Sequence, residues 1–363
     1  KKRFSIPFVA ITGSVGKTTT KDMVAAVLGE RFRVLKTEGN FNNEVGLPLT
    51  LLRLNRDHEV CVLEMGMNHF GEIEYLSAIV EPDVAVITNI GDSHIENLGS
   101  RENILKAKCE IFTHMDPAKG FVILNGDDPL LTGLRPTLPF ETVSVGAAEG
   151  LEYRATDVSA DGEKCVCCHV TTPGAAFDAR IPALGSHMLY PTLTAAAVAE
   201  HFGMTGEEIA RGILRFAHTK MRMNILKRGE GITVLNDTYN ANPQSMRAAV
   251  EVLAKTGGGY KIAVLGDMFE LGPFAPTLHA GVGTYLAKAG VDCLLAVGEL
   301  AQHIYQAAQE AGLADAYWCR TKEEAEPILG QLVRPDATIL VKASRGMAFE
   351  EFVDYLKSIT AEP

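Results

Sequence analysis

The sequence predicts an α/β protein of two domains, each built on a mostly parallel sheet, and three observations carry this. Short apolar runs alternate with amphipathic stretches at helical spacing through most of the chain. The rhythm breaks once, in an alternating, turn-rich stretch from about Leu151 to Ile181, and then restarts. The first apolar run leads into Thr12-Gly13-Ser14-Val15-Gly16-Lys17-Thr18-Thr19-Thr20, a glycine-bearing loop that opens a helix.

In the first domain, strands are expected at Phe8–Thr12, Glu59–Glu64, Val84–Asn89 and Phe121–Leu124, each a short apolar run suited to a sheet covered on both faces. Helices are expected between them at Lys17–Leu28, Gly71–Val80 and Arg101–Phe112. The Leu151–Ile181 stretch reads as a small antiparallel extension, followed by helices at Tyr190–Phe202 and Thr205–Phe216. A boundary near His218–Met221 separates a central P-loop domain, residues 1–219, from a C-terminal Rossmann-like α/β domain, residues 220–363. There the expected strands are Ile232–Leu235, Lys261–Leu265, Cys293–Val297 and Thr338–Val341. The helices are Pro243–Ala254, Pro276–Lys288, Leu300–Ala311, Lys322–Leu329 and Ala348–Ser358.

Composition narrows the function. The 363 residues are 47% hydrophobic and 22% charged, as in soluble globular proteins. A net charge of −11 argues against nucleic acid as a partner. No apolar run approaches the length of a membrane span, and the first residues do not form a signal peptide. The seven cysteines lack disulfide-like spacing, which suits a reducing cytoplasm. Cys165-Val166-Cys167-Cys168-His169 has no second pair at ligand spacing and reads as part of a strand.

The chemistry starts at the loop. Gly13 and Gly16 let the backbone curl so that the N–H groups of the loop face an anion at a helix N-terminus. Lys17 reaches the β/γ-phosphates and the Thr18 hydroxyl a magnesium ion, so the chain uses a nucleoside triphosphate. The loop is a shorter variant of the common pattern, because Ile11 stands where a glycine would open it. Glu64, at the carboxyl end of an apolar strand, is the expected partner of the metal ion. His94 follows the next strand and is either a ligand or a loop residue. Lys108 reads by periodicity as a surface lysine. Asn42 and Asn43, in Gly39–Asn43, offer donors and acceptors without charge, as contact with a peptide or phosphate substrate needs, or form a turn. In the second domain Tyr239, Asn240, Asn242 and Ser245 crowd a strand-to-helix loop, where ligands bind. Arg222, Lys342 and Arg345 are candidates for neutralising phosphate or carboxylate.

Together the segments Thr12–Thr20, Gly39–Pro48, Leu63–Ile73, Thr88–Gly99, Asp237–Met246 and Leu265–Gly272 resemble the Mur ligases, which form amides at the expense of ATP in peptidoglycan synthesis. Tyr239–Pro243 resembles the members that join D-alanyl-D-alanine to UDP-N-acetylmuramoyl-tripeptide. The resemblance implies a cytoplasmic, monomeric ligase using ATP and Mg²⁺, acting through an acyl phosphate. It implies that Gly13, Ser14, Val15, Gly16, Lys17, Thr18 and Thr19 hold the phosphates, and that Glu64 and His94 serve the metal ions. Lys108 matches a position that many Mur ligases carbamylate, which makes it a metal ligand. Arg222 and Asp237 match nucleotide-side residues, with Asp237 on the ribose, and Asn240, Asn242 and Ser245 lie near the incoming dipeptide. Alternatives are a sister ligase for another amino acid, a P-loop kinase, or a non-catalytic nucleotide-binding paralogue.

Three departures stand out. Family members carry an N-terminal domain for the UDP-sugar, whereas here the loop begins within a dozen residues of Lys1; a fragment, or another way of holding the uridine end, is expected. Met188 and Pro191 replace two asparagines that hold adenine in the family, so no adenine contact is assigned there. Ala343 replaces a glycine in Lys342-Ala343-Ser344-Arg345.

Overall fold

Parallel pairing of apolar runs builds the first half of the chain. The computed structural model describes residues 1, 3–161 and 165–361, which divide into unit 1, Lys1–Thr219, and unit 2, Lys220–Pro363. Unit 1 begins with β1 (Phe8–Thr12), α1 (Lys17–Leu28), β2 (Val34–Lys36), α2 (Gly46–Leu51) and β3 (Val60–Glu64). It continues with α3 (Glu72–Val80), β4 (Val84–Ile87), α4 (Ile95–Leu98), α5 (Arg101–Cys109), β5 (Phe121–Asn125) and α6 (Pro129–Leu134). It ends with β6 (Glu141–Gly146), β7 (Tyr153–Asp161), β8 (Cys165–Thr171), β9 (Ala176–Ile181), α7 (Leu189–His201) and α8 (Gly206–Leu214). The sheet order is β2-β3-β1-β4-β5-β6-β7-β8-β9. Strands β2 to β7 pair in parallel, and β7, β8 and β9 pair antiparallel.

All five residues of β1 are buried, as its place inside a covered parallel sheet requires. Met23, Val24, Val27 and Leu28 of α1 join Leu193 and the alanines of α7 in one core. The alternating 151–181 stretch extends this same sheet by its edge; residues 162–164 of it lie outside the described residues. The helix expected over 101–112 breaks at Cys109 into a tighter turn over Glu110–Phe112. The three-residue strand β2 and the one-and-a-half-turn helices α2 and α6 were not expected, because so few residues carry no readable period, and β6 was missed because its first half is partly or fully exposed.

Unit 2 comprises β10 (Asn224–Lys227), β11 (Thr233–Asn236), α9 (Pro243–Lys255), β12 (Tyr260–Gly266), α10 (Ala275–Lys288) and β13 (Cys293–Val297). The rest is α11 (Ala301–Glu310), β14 (Asp315–Cys319), α12 (Lys322–Leu332), β15 (Ala337–Lys342) and α13 (Glu350–Ile359). The sheet order is β10-β11-β15-β12-β13-β14, with β10 antiparallel at one edge. Edge strands β10 and β14 were missed because all their residues but Cys319 are partly or fully exposed. Helix α9 starts at a reciprocal cap: Asn242 Oδ1 accepts from Ser245 N at 2.9 Å, and Ser245 Oγ accepts from Asn242 N at 3.1 Å.

His279 of α10 is fully buried. Its Nδ1 donates to the Ala275 carbonyl at 2.7 Å, so Nε2 is free to accept from Met268 N at 2.9 Å. Burial, with the charge of His303 adding to it, pushes its pKa down to about 4. The unfolded chain, with His near 6.5, therefore takes the proton first as pH falls. Stability is full above about pH 6.5 and declines toward pH 4, by up to about 3 kcal/mol from this group. Urea unfolding at pH 7.5, 5.5 and 4 is expected to show a shallower decline for His279→Gln, whose amide is uncharged throughout.

Candidate active site

Three neighbouring strand ends place the site in unit 1. In register, Ile11 of β1 lies opposite Glu64 of β3, and Thr12 lies opposite Ile87 of β4. Met65 N donates to Ile11 O at 2.9 Å, and the Thr12 hydroxyl donates to Met65 O at 2.9 Å, so β3 leaves the sheet tied to the start of the loop. On the other side the Thr88 hydroxyl donates to Val15 O at 2.6 Å, and Gly91 N donates to Ser14 Oγ at 2.8 Å. Gly13 has φ 147°, and a Cβ there would fall 1.9 Å from Thr88 Oγ1. The close passage of β4 demands glycine at this point.

This bracing corrects one expectation. The N–H groups of Ser14 and Val15 do not face an anion: they donate to the carbonyl and to Oδ1 of Asn89, at 3.0 and 2.9 Å. Gly16, in the left-handed region at φ 82°, opens α1 with no side chain capping it. The N–H groups at the start of α1, from Lys17 through Thr19, are the orphan donors that a phosphate can take. Lys17 Nζ bends back to Gly13 O at 2.8 Å and so stands over the loop.

Glu64 is 2% exposed. Its Oε1 accepts from Asn42 Nδ2 at 2.8 Å, and its Oε2 is buried with no hydrogen-bond partner among the described residues. A buried carboxylate oxygen in that state fits a cation; Thr18, buried at the helix start, and His94, beyond β4, are the other candidates the sequence offered. His94 has φ 64° and opens α4, in the segment whose Gly91 and Ser93 bond Ser14.

Lys108 overturns its surface reading: it is 1% exposed. Ile104, Ala107 and Lys108 form the buried face of α5 at helical spacing, and Lys106 beside them on the outer side hid the pattern. Burial and then the charge of Lys17 push the Lys108 pKa well below the ordinary 10.5. That dependence on Lys17 places the two ammonium groups within electrostatic reach. Asn43 takes the turn role: its Oδ1 accepts from Gly46 N at 2.9 Å, holding the start of α2.

Unit 2 gathers its candidates at the carboxyl ends of β11 and β15. Lys342 Nζ pairs with Asp237 Oδ2 at 2.5 Å and donates to Asn240 O at 2.8 Å, while Asp237 Oδ1 accepts from Met223 N at 3.1 Å. Lys342, expected to meet a ligand anion, is thus neutralised within the unit. The Arg222 guanidinium lies 4.1 Å from the Tyr239 ring centroid, with its Nε buried and unpartnered among the described residues. Arg345 is exposed and forms a two-pronged pair with Glu350 at 2.8 and 2.9 Å. The side chains of Asn242 and Ser245 are engaged in the α9 cap, and Asn240 Oδ1 accepts from Ala241 N at 2.9 Å.

Residues 11–199 match the family described as Mur ligase middle domain, and residues 221–345 match Mur ligase, glutamate ligase domain. The chain belongs to the Mur ligase family. It is 40% identical to a UDP-N-acetylmuramoyl-tripeptide–D-alanyl-D-alanine ligase of Bacillus subtilis, over 95% of this chain and 74% of that one. The ligase of the same name from Escherichia coli is 36% identical over 96% and 76%. A crystal structure of MurF from Acinetobacter baumannii superposes with a TM-score of 0.90 at 35% identity, covering 97% of this chain and 77% of that one. MurF of Thermotoga maritima in complex with ADP gives 0.87 at 28% identity, covering 99% and 81%.

Within this Mur ligase chain, the sequence did not single out Thr88 and Asn89 as the braces of the loop. Their only signal was position, directly after an apolar strand neighbouring the loop strand. Because the loop packs this tightly against Thr88, Gly13→Ala is expected to weaken ATP binding at least about tenfold, measured by calorimetry, and to lower the thermal midpoint.

Proposed function

We propose that this chain joins D-Ala-D-Ala to UDP-N-acetylmuramoyl-tripeptide, cleaving ATP to ADP and phosphate. The observation that carries the reading is the uncapped start of α1 with Lys17 over it, flanked by buried Glu64 and Lys108, in a chain similar throughout to ligases of that name. In the first step a carboxylate oxygen of the tripeptide attacks the γ-phosphorus, and ADP leaves. The amine of D-Ala-D-Ala then attacks the acyl carbon: the N–C bond forms, the C–O bond breaks with its electron pair going to the departing phosphate, and the amine proton is released to phosphate or solvent. Both steps bring anions together, so the chain's task is to hold them in line and to offset charge. Lys17 releases the Gly13 carbonyl and turns to the β/γ-phosphates, while the N–H groups of residues 17–19 receive the phosphate oxygens. Arg222, whose guanidinium lies over the Tyr239 ring at 4.1 Å, is the unit 2 candidate for offsetting phosphate charge.

Thr18, Glu64 and His94 would hold Mg²⁺, which when bound supplies Lewis-acid stabilisation of the phosphoryl oxygens. Lys108 supplies a further ligand if carbamylated. Its depressed pKa keeps a fraction of the amine neutral, with the lone pair that attack on CO₂ requires. The ammonium first gives up one proton; the neutral amine then forms the N–C bond with CO₂ and loses a second proton, so that the buried cation becomes an anion suited to a metal.

Phosphate release by this chain is expected only when ATP, UDP-N-acetylmuramoyl-tripeptide and D-Ala-D-Ala are all present, with mass spectrometry showing the new amide. Release with another amino acid points to a sister ligase, a phosphorylated product to a kinase, and no release to a nucleotide-binding paralogue. Lys17→Ala is expected to lower the rate at least about 10³-fold; near-normal turnover would remove Lys17 from the mechanism. For Lys108, ¹³C-bicarbonate is expected to give a carbamate NMR signal that Lys108→Ala lacks, with a rate loss of about 10²-fold or more.

A further inference from the structure

The two oxygens of Glu64 are not equivalent. Oε1 is engaged by Asn42 Nδ2 at 2.8 Å, whereas Oε2 is buried and unpartnered among the described residues. Asn42 belongs to the loop between β2 and α2, and that loop is fastened to β3 at both flanks of Glu64. Glu64 N donates to Thr37 Oγ1 at 3.0 Å, and Gly66 N donates to Asn42 O at 2.8 Å. Position 66 is tight: a Cβ there would lie 3.1 Å from Cγ, Oδ1 and Nδ2 of Asn42, so the amide would have to give by a few tenths of an ångström. The amide is therefore held between the backbone at Gly66 and the carboxylate.

An amide is the chemically suitable neighbour. It donates to one oxygen and fixes the carboxylate plane without neutralising the charge, as a lysine there would. A second carboxylate there would repel Glu64. We propose that Asn42 is a positioning residue for Glu64, holding Oε1 so that Oε2 is the single oxygen presented to a divalent cation. This replaces a substrate contact for Asn42. It rests on the proposed function only in taking Glu64 as a cation ligand.

The test is Mn²⁺ binding to the full chain, read by electron paramagnetic resonance with a non-hydrolysable ATP analogue and neither peptide substrate. Asn42→Ala is expected to weaken Mn²⁺ binding about tenfold or more, the usual effect of removing a group that orients a metal ligand. Asn42→Leu, which keeps the volume without the donor, should do the same, and serves if the alanine variant fails to fold. Gly66→Ala, which presses on the amide, should give a smaller shift in the same direction. In turnover assays the Mg²⁺ concentration for half-maximal rate should rise while KM for D-Ala-D-Ala stays put. Unchanged Mn²⁺ affinity in a folded variant, or a raised KM for the muramoyl tripeptide alone, overturns the proposal, as does a wild-type chain that binds no Mn²⁺. Because Mn²⁺ binding is read without the peptide substrates, a chain that makes no amide can still support it.

Discussion

Parallel pairing of β1 with β3 on one side and β4 on the other is the constraint on which unit 1 depends. Parallel strands end at the same rim, so whatever follows each of them meets there. The phosphate loop follows β1, Glu64 closes β3, and Thr88 to His94 follow β4. None of these side chains is near another in sequence. The register alone, Ile11 against Glu64 and Thr12 against Ile87, makes them neighbours.

Charge is then distributed by burial. Lys108, on the buried face of α5 with Ile104 and Ala107, sits where ionisation is costly and where Lys17 repels it further. Asp22 of α1 illustrates the opposite balance. Burial works to raise its pKa, yet the charges and hydrogen bonds of Lys21, Lys36 and Thr219 hold it below its ordinary value. Lys36 Nζ reaches it at 2.6 Å and the Thr219 hydroxyl also donates to it, so the phosphate-loop helix is tied to the last residue of unit 1. In unit 2, Asp237 and Lys342 settle each other's charge, while Arg222 Nε is buried without a hydrogen-bond partner among the described residues.

The legible parts of the chain were those with a strong local signature. Cys293–Val297 and the start of α9 at Pro243 emerged at the expected residues, because an unbroken apolar run and an Asn-Pro cap are local statements. β2, with three residues, and the edge strand β14, with its polar half, are stabilised by neighbours that the local sequence does not display. Asn242 and Ser245 looked like ligand contacts because polar residues after a strand often are; here they are occupied with each other in starting α9.

By itself the sequence determined the two α/β halves with their main strands and helices, the glycine loop and the family, since each is written in consecutive residues or short spacings. The tertiary structure decided that Lys108 is buried, that Asn89 takes the N–H groups of Ser14 and Val15, and that Asn42 serves Glu64. The physical reason is that hydrogen-bond partnership and desolvation depend on which surfaces meet. Asn89 lies 74 positions from Val15, and Asn42 lies 22 from Glu64. No local pattern encodes a meeting that only sheet register and loop packing bring about.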